Sequence, residues 1–253
     1  MEEIIRELLK NLRVEEAGAY TCEKCRDTGY VITEKGASPC TCRKAARALP
    51  SRLGDASLED FTLQAYPDEM IDGQRSRDTY RDKAARILAA ARSFLAEVEA
   101  GKQGVRGLFI TGPIGSGKTL LAAAMGNALL KMGKKVEFFV VPDLLEQGKA
   151  DLFEDGRGMD VFARARKAEF LILDDLGAHN YTAWSTNQLF SLVNHRLNHN
   201  LSTIITTNLS LEEIESRLDE RIASRILELC NSYVLDVDRD IRFKKNIRKR
   251  EGH

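Results

Sequence analysis

An octapeptide at residues 112–119 constrains this chain more than any other feature of its sequence. Its letters, GPIGSGKT, fit the pattern G-x-x-x-x-G-K-[ST]; it follows an apolar β-type run at 107–111 and opens a helical pattern at 117–132. In that context the glycines let backbone N–H groups turn toward phosphates, and the helix N-terminus adds a favourable dipole. The sequence therefore predicts a phosphate-binding loop for a nucleoside triphosphate with Mg²⁺, with ATP as the expected nucleotide.

Two side chains of this loop have predicted roles of their own. We expect Lys118 to reach the β- and γ-phosphates and Thr119 to place its hydroxyl on Mg²⁺. A chance glycine-rich turn is the alternative, but the strand before the motif and the helix after it argue against one. The loop residues predicted to contact the nucleotide are Gly112, Pro113, Gly115, Ser116, Gly117, Lys118 and Thr119.

Short apolar runs alternate with helical patterns from residue 107 onward. The runs are apolar on both faces, which is typical of a parallel sheet covered by helices. Ser210 and Glu213 form a capping-box signature for the helix after the fourth run. The pattern predicts a doubly wound α/β fold with strands at 107–111, 136–141, 169–174, 202–207 and 233–237, and with helices that include 77–100, 117–132 and 185–198.

Polar residues stand where two of these strands are expected to end. Asp174 and Asp175 close the third run, at the Walker B position. We expect Asp174 to hold Mg²⁺, directly or through water, and Asp175 to orient the attacking water; capping the following turn is the alternative for Asp175. Asn208, after the fourth run, can hydrogen-bond the γ-phosphate or the lytic water, and an ordinary turn residue is an equal alternative there.

Four of the five cysteines form two tight pairs, Cys22-x2-Cys25 and Cys40-x-Cys42. Such pairs are hard to satisfy with disulfides, whereas four thiolates suit tetrahedral Zn²⁺. The spacing predicts a structural zinc site, with a redox dithiol at the first pair as the alternative. We expect the YVIT run between the pairs to form one strand of a hairpin. The fifth cysteine, Cys230, stands in a helical pattern and is expected to be a buried apolar side chain.

The chain is predicted to have three parts. Residues 1–50 hold an amphipathic helix at 2–13 and the zinc module, residues 51–75 are polar and read as a linker, and residues 76–253 form the ATPase domain. The short helix is marginal alone, so it packs either on its own domain or on a partner protein.

Composition adds few constraints on partners. Lys and Arg total 38, as do Asp and Glu, so bulk charge predicts no partner. No apolar run has the length of a membrane span, and the N-terminus lacks the basic start and apolar segment of a signal peptide. We therefore expect a cytoplasmic protein without membrane contact.

Four motifs in order, GPIGSGKT, FLILDDLG, IITTN and ERIASRI, together resemble the DnaC/DnaI-type helicase loaders and the related IstB-type transposition helpers of the AAA+ class. The resemblance covers roughly residues 60–245 and extends to the cysteine segment, since DnaI-type loaders carry a similar zinc module. It implies a sheet order of 5-1-4-3-2 with Asn208 as sensor 1. It also implies Arg225 as an arginine finger on a neighbouring subunit's γ-phosphate, Arg221 as a second candidate, and Arg242 as a sensor 2 arginine. An exposed helix arginine is the alternative for each.

The resemblance leaves parts of the nucleotide site open. Few residues follow the last predicted strand, so we expect the helical lid of a full AAA+ module to be reduced or absent, and a neighbouring copy to complete the site. Phe61 and Tyr66 lie where related proteins cover the adenine, and ordinary core aromatics are the alternative.

The family also implies contact with single-stranded DNA. The expected place is the segment 143–168, with the basic residues Lys149, Arg157, Arg164, Arg166 and Lys167. The basic run at 242–250 is a second candidate for phosphate contact, with a solvated tail as its alternative.

Three functions follow from these features. The leading one is an ATP-dependent loader that binds a replicative helicase through residues 1 to about 75 and aids its placement on single-stranded DNA. An IstB-type transposition helper shares the ATPase core, although the zinc module favours the loader. A small-molecule P-loop kinase is the third, and Ser224-Arg225, the absent lid insertion and the zinc module argue against it.

Overall fold

The cysteine-rich segment contains an antiparallel hairpin in the computed structural model of this protein. Strand β1 (Tyr30–Thr33) pairs with β2 (Gly36–Pro39), with Tyr30 opposite Pro39, which confirms the predicted hairpin strand. The structure describes residues 30–33, 36–39, 49–50, 53–71, 78–151, 161–178, 181–237 and 240–241. The four paired cysteines, Cys22, Cys25, Cys40 and Cys42, and the predicted helix at 2–13 lie outside these described residues.

Five parallel strands form one sheet in the second of two compact units, residues 1–46 and 47–253. Numbered along the chain, their order across the sheet is 2-3-4-1-5, which is the expected order 5-1-4-3-2 counted from the other edge. Because the strands are parallel, their carboxyl ends meet at one edge, where α/β proteins bind their ligands. The strands are β3 (Gly107–Thr111), β4 (Val136–Val140), β5 (Phe170–Leu176), β6 (Thr203–Thr207) and β7 (Cys230–Val234).

The predicted bounds of the last strand were wrong. It spans Cys230–Val234 rather than 233–237, and Cys230 pairs with Gly107 of β3. Strand β7 lies at the edge of the sheet, and exposed polar residues such as Asn231 interrupt the apolar run that the sequence pattern follows. Cys230 thus begins a strand instead of lying in a helix. It is buried as expected, and this burial raises the pKa of its thiol to about 12.

Helices cover both faces of the sheet. Those predicted at 77–100, 117–132 and 185–198 are present with slightly different ends. The Ser210 capping box is also confirmed, since its hydroxyl accepts from the Glu213 N–H at 3.2 Å. The helices of the described residues are α1 (Tyr80–Glu99), α2 (Lys118–Lys131), α3 (Val141–Asp151), α4 (Val161–Lys167), α5 (Ala183–Asn198), α6 (Leu211–Arg217) and α7 (Glu220–Leu229).

Two hydrophobic cores lie on the two faces of the sheet. Leu108 and Ile110 of β3 enter the core that holds α1 and α2, whereas Phe109 enters the core that holds α3 to α7. This alternation is expected of a strand buried on both faces, because successive side chains point to opposite sides. The doubly wound α/β fold predicted from the sequence is therefore present.

The described part of the segment predicted as a linker, residues 53–71, instead packs within the second compact unit, against α1 and α2. Phe61 and Tyr66 are 3% and 1% exposed and belong to the core of α1 and α2. The Asn127 side chain of α2 donates to the carbonyls of Leu53 and Ala56 at 2.9 and 2.8 Å. The sequence did not predict this packing, because the stretch is mostly polar. Its few aromatic residues are not spaced with the regular period of a helix or a strand.

A fully buried arginine fixes the start of β6. Arg196 of α5 donates to the Thr203 hydroxyl at 2.8 Å and to the carbonyls of Ala165, Ala168 and Ser202 at 2.7–2.9 Å. Burial lowers the pKa of its guanidinium to about 9. Since buried charges need complete hydrogen bonding, this side chain ties the end of α4 to the strand that leads into the site.

Candidate nucleotide site

The loop at 112–119 connects β3 to α2 at the carboxyl edge of the sheet. A Cβ on Gly112 would overlap the carbonyl oxygen of Leu235, so only glycine allows this close approach. Gly117 has φ +99°, in the left-handed region that favours glycine, and it lies directly before the first residue of α2. These two positions explain why the loop needs glycine: the backbone must turn sharply to open a helix N-terminus toward an anion.

Lys118 lies on the inner side of this loop. Its Nζ donates to the carbonyl oxygens of Gly112 and Pro113 at 2.7 and 2.8 Å and lies 3.4 Å from the Ser116 hydroxyl. The side chain is only 8% exposed. A buried ammonium group among loop carbonyls supplies a positive charge at the place where the motif predicts phosphates.

Tyr66 and Phe61, from the segment predicted as a linker, pack beside the phosphate loop. The Tyr66 hydroxyl donates to the Ser116 carbonyl at 2.7 Å, and the ring centroids of Tyr66 and Phe61 are 5.3 Å apart. Burial raises the pKa of the Tyr66 phenol. The two residues are therefore core aromatics, as the alternative interpretation held, and the Tyr66 hydroxyl also contacts the phosphate loop.

The chain after β7 returns to the same loop. The Ile241 N–H donates to the Gly115 carbonyl at 3.2 Å, and the Asp240 carboxylate lies against the Gly115 backbone. Arg242, the predicted sensor 2 residue, follows Ile241 directly in the sequence but lies outside the described residues, as does the basic run at 242–250.

Asp174 stands opposite the first turn of α2. Its Oδ1 accepts from the Thr119 hydroxyl at 2.8 Å and from the Thr206 hydroxyl at 2.5 Å, and the residue is 6% exposed. Burial raises the pKa of this carboxyl, while the two hydroxyl donors and Lys118 act in the opposite direction. A carboxylate oxygen and a hydroxyl oxygen 2.8 Å apart fit Mg²⁺, which takes one or two carboxylates together with the phosphates of its nucleotide.

Asp175 occupies an unusual backbone position. Its φ is +60°, and its N–H donates to the Thr206 hydroxyl at 3.0 Å. Two hydrogen bonds close the turn that follows: the Gly177 N–H donates to the Tyr181 hydroxyl at 2.7 Å, and the Ala178 N–H donates to the backbone carbonyl of Asp175 at 3.4 Å. Left-handed non-glycine residues are uncommon and concentrate at functional sites.

Asn208 emerges at the same edge of the sheet as the two acids. Leu176 of β5 lies beside Thr207 of β6, so the residue after Thr207 leaves the sheet next to the end of β5. Asn208 is exposed, whereas the neighbouring Thr207 hydroxyl is buried and donates to the Leu176 carbonyl at 2.5 Å.

The two predicted finger arginines lie on α7 and make their hydrogen bonds to nearby acids. The Arg225 guanidinium donates to Glu228 at 2.6 Å. Arg221 donates to both carboxylate oxygens of Asp219, at 2.9 and 2.7 Å, and its guanidinium lies 4.8 Å from the Phe190 ring centroid. The structure thus brings Lys118, Thr119, Asp174 and Asp175 together and leaves both arginines on the surface.

The expected DNA segment is described only in part. Arg164 donates to Glu137 at 2.6 Å, and the Lys149 ammonium lies 5.7 Å from the Trp184 ring centroid. Arg157 lies outside the described residues. Among the helices of the described residues, none combines the length and the hydropathy of a membrane span.

The comparison with known proteins agrees with this geometry. A family model described as IstB-like ATP binding protein matches residues 84–249. The phage-like element PBSX protein XkdC of Bacillus subtilis is 25% identical in an alignment 239 residues long, which covers 87% of this chain and 83% of XkdC. The replicative helicase loader DnaI of Bacillus subtilis is 30% identical over 111 residues, which are 44% of this chain and 35% of DnaI.

A solved structure gives the same picture of the fold. The crystal structure of the DnaC helicase loader superposes with a TM-score of 0.57 and 27% identity, over 73% of this chain and 99% of that one. The match thus spans nearly all of the DnaC crystal structure but little more than a third of the length of DnaI.

Proposed function

This chain belongs to the family of IstB-like ATP-binding proteins, and from that premise we propose that it is an ATP-dependent helicase loader. In this role it binds a replicative helicase in the cytoplasm and aids its placement on single-stranded DNA. The observation that carries the proposal is the 27% identity to the DnaC helicase loader over 99% of the DnaC crystal structure. The contacts that join the phosphate loop to Asp174 support the ATP-dependent part.

The side chains at the sheet edge divide the work on ATP. Lys118 balances the charge of the β- and γ-phosphates, and Thr119 and Asp174 offer oxygen ligands to Mg²⁺, which when bound neutralises charge on the phosphates. Asp175 orients a water for attack, and Asn208 hydrogen-bonds that water or the γ-phosphate. We assign Arg242 to the same nucleotide.

Copies of the chain associate through the ATP site, and the neighbouring copy completes that site. Arg225 of one copy reaches the γ-phosphate held by its neighbour, with Arg221 as the second candidate. In this arrangement the bound γ-phosphate orders the interface between copies. Hydrolysis of ATP releases that interface, so ATP acts as a switch. The single-stranded DNA is held by basic residues of 143–168, which include Lys149 and Arg166.

We further propose that Cys22, Cys25, Cys40 and Cys42 bind one structural Zn²⁺ ion. Two observations support this proposal. The spacing of the cysteines suits a zinc site, and the hairpin whose ends pair Tyr30 with Pro39 lies between the two cysteine pairs in the sequence. Metal analysis of the purified full chain should find one zinc per chain. Replacing Cys40 and Cys42 with serine should remove the metal, whereas Cys230→Ser should keep it. Zinc retained by the double variant would contradict the assignment.

The loader proposal is tested by the protein that the full chain captures. A tagged full chain with ATP should co-purify a hexameric replicative helicase. A version limited to residues 47–253, the second compact unit, should lose it because residues 1–46, the larger part of the predicted docking region, are removed. The matched control is the full chain with Lys102→Ala, a change at an exposed lysine.

A transposition helper is the second candidate, favoured by the name of the matching family model. Capture of a transposase instead of a helicase would support that function and would contradict the loader. Capture of neither by the full chain would contradict both.

A further inference from the structure

The pairing of β5 with β6 changes register at the two acids, Asp174 and Asp175. Leu173 pairs with Ile205, and Leu176 pairs with Thr207, with a register shift between them. Two residues of β5, Asp174 and Asp175, therefore face a single residue of β6, which is the definition of a β-bulge. The residue that faces them is Thr206.

The Thr206 hydroxyl binds both acids at this bulge. The Asp175 N–H can only donate, so the hydroxyl oxygen accepts that bond, at 3.0 Å. The hydroxyl hydrogen then goes to Asp174 Oδ1, at 2.5 Å. Thr206 is 1% exposed, so water does not compete for either bond. At the bulge, the buried Thr206 side chain thus supplies hydrogen bonds between β5 and β6.

Thr206 also connects these acids to the phosphate loop. Asp174 Oδ1 accepts from Thr119 as well as from Thr206, so the two threonines hold the same oxygen from two directions. Thr206 pairs with Ile110 of β3, the strand that leads into the loop. Its position is therefore set by the same strand that sets the position of the phosphates.

We propose that Thr206 is a positioning residue for ATP hydrolysis, which fixes Asp174 for Mg²⁺ and holds Asp175 in its left-handed backbone position. This inference rests on the proposed ATPase activity of the site. The geometry directs the Thr206 hydroxyl to the two acids.

The neighbouring Thr207 provides a matched control. It is equally buried, and its hydroxyl also makes two hydrogen bonds, to the Leu176 carbonyl at 2.5 Å and from the Leu209 N–H at 3.0 Å. Neither partner is an acid. Removing either hydroxyl with valine therefore costs two buried hydrogen bonds, but only Thr206→Val disturbs the acids.

The test compares steady-state hydrolysis by the full chain and its Thr206→Val, Thr206→Ser and Thr207→Val variants. Loss of a residue that orients a metal ligand typically lowers metal affinity or activity about 10-fold to 100-fold. We therefore expect Thr206→Val to lower kcat by at least about 10-fold and to raise the half-saturating Mg²⁺ concentration severalfold. The KM for ATP at saturating Mg²⁺ should change little, because Lys118 and the loop are untouched. Thr206→Ser keeps the hydroxyl and should restore kcat and the Mg²⁺ dependence, and Thr207→Val should leave the Mg²⁺ dependence as in the unaltered chain.

Three results would overturn the inference: an unchanged kcat in Thr206→Val, a lower kcat without a change in Mg²⁺ dependence, or a shift of equal size in Thr207→Val. Failure of the proposed function is recognised separately. An unaltered chain that captures no helicase loses the loader role while its hydrolysis still tests Thr206. An unaltered chain that hydrolyses no ATP loses the ATPase role, and the Mg²⁺ dependence of ATP binding in Thr206→Val against Thr207→Val then decides the claim about Asp174.

Discussion

Lys118→Ala is expected to abolish measurable ATP binding. The ammonium of Lys118 is buried in the loop within 2.8 Å of the Gly112 and Pro113 carbonyls, at the N-terminus of α2. Hydrogen bonds to charged groups contribute about 1.5–3 kcal/mol each, so loss of bonds to two phosphates weakens binding by about 100-fold or more. Titration of the purified variant with ATP and Mg²⁺ in a calorimeter measures this directly.

Two controls separate a lost charge from a damaged fold. Lys102→Ala removes an exposed lysine that pairs with Glu97, so its affinity for ATP should be unchanged. A thermal melt of Lys118→Ala without nucleotide shows whether the loop remains folded after its carbonyls lose their donor. An affinity close to that of the unaltered chain in folded Lys118→Ala would contradict the assignment of the loop as the phosphate site.

Arg225→Ala is expected to keep ATP binding and to lose most hydrolysis. An arginine finger supplied by a neighbouring molecule contributes on the order of 10³-fold or more to kcat. The Arg225 guanidinium is now paired with Glu228 at 2.6 Å on the surface of α7, and its side chain is 38% exposed. Such a surface pair contributes at most about 1 kcal/mol, so the guanidinium is readily released to a phosphate.

Arg217→Ala is the matched control for this change. Arg217 also forms a surface ion pair on a neighbouring helix, with Glu213 at 3.1 Å, and no role in hydrolysis is assigned to it. Multiple-turnover hydrolysis at a chain concentration that permits self-association should fall in Arg225→Ala and stay near the unaltered rate in Arg217→Ala. Full hydrolysis by Arg225→Ala with loss in Arg221→Ala would transfer the role to Arg221, which is held more firmly by two bonds to Asp219.

The phosphate loop, the first four strands of the sheet and the two acids could be predicted from the sequence because each is a local pattern. An apolar run buried on both faces identifies a strand, and a glycine-rich turn between a strand and a helix identifies the loop. The order of the strands followed from the family resemblance alone. The last strand was misplaced because an edge strand with exposed Asn231 and Ser232 does not have a continuous apolar run.

The contacts that complete the site depend on residues far apart in the sequence. Tyr66 reaches the loop from 50 residues away, and nothing in its surroundings distinguishes it from any core aromatic. Thr206 and Thr207 are the same residue type on the same strand. The bulge in β5 decides which hydroxyl meets the acids, and a register shift in one strand is not visible in the letters of its neighbour.

In the proposed assembly, each chain provides one side of an ATP site and its neighbour provides the other. Mixing Lys118→Ala with Arg225→Ala tests it most directly, because the first variant keeps Arg225 and the second keeps the phosphate loop. With random association, about a quarter of the interfaces then join an intact loop to an intact arginine. Hydrolysis by the mixture should rise well above the sum of the two separate variants, to a substantial fraction of the unaltered rate. A mixture that only equals that sum would contradict a site shared between copies through Arg225.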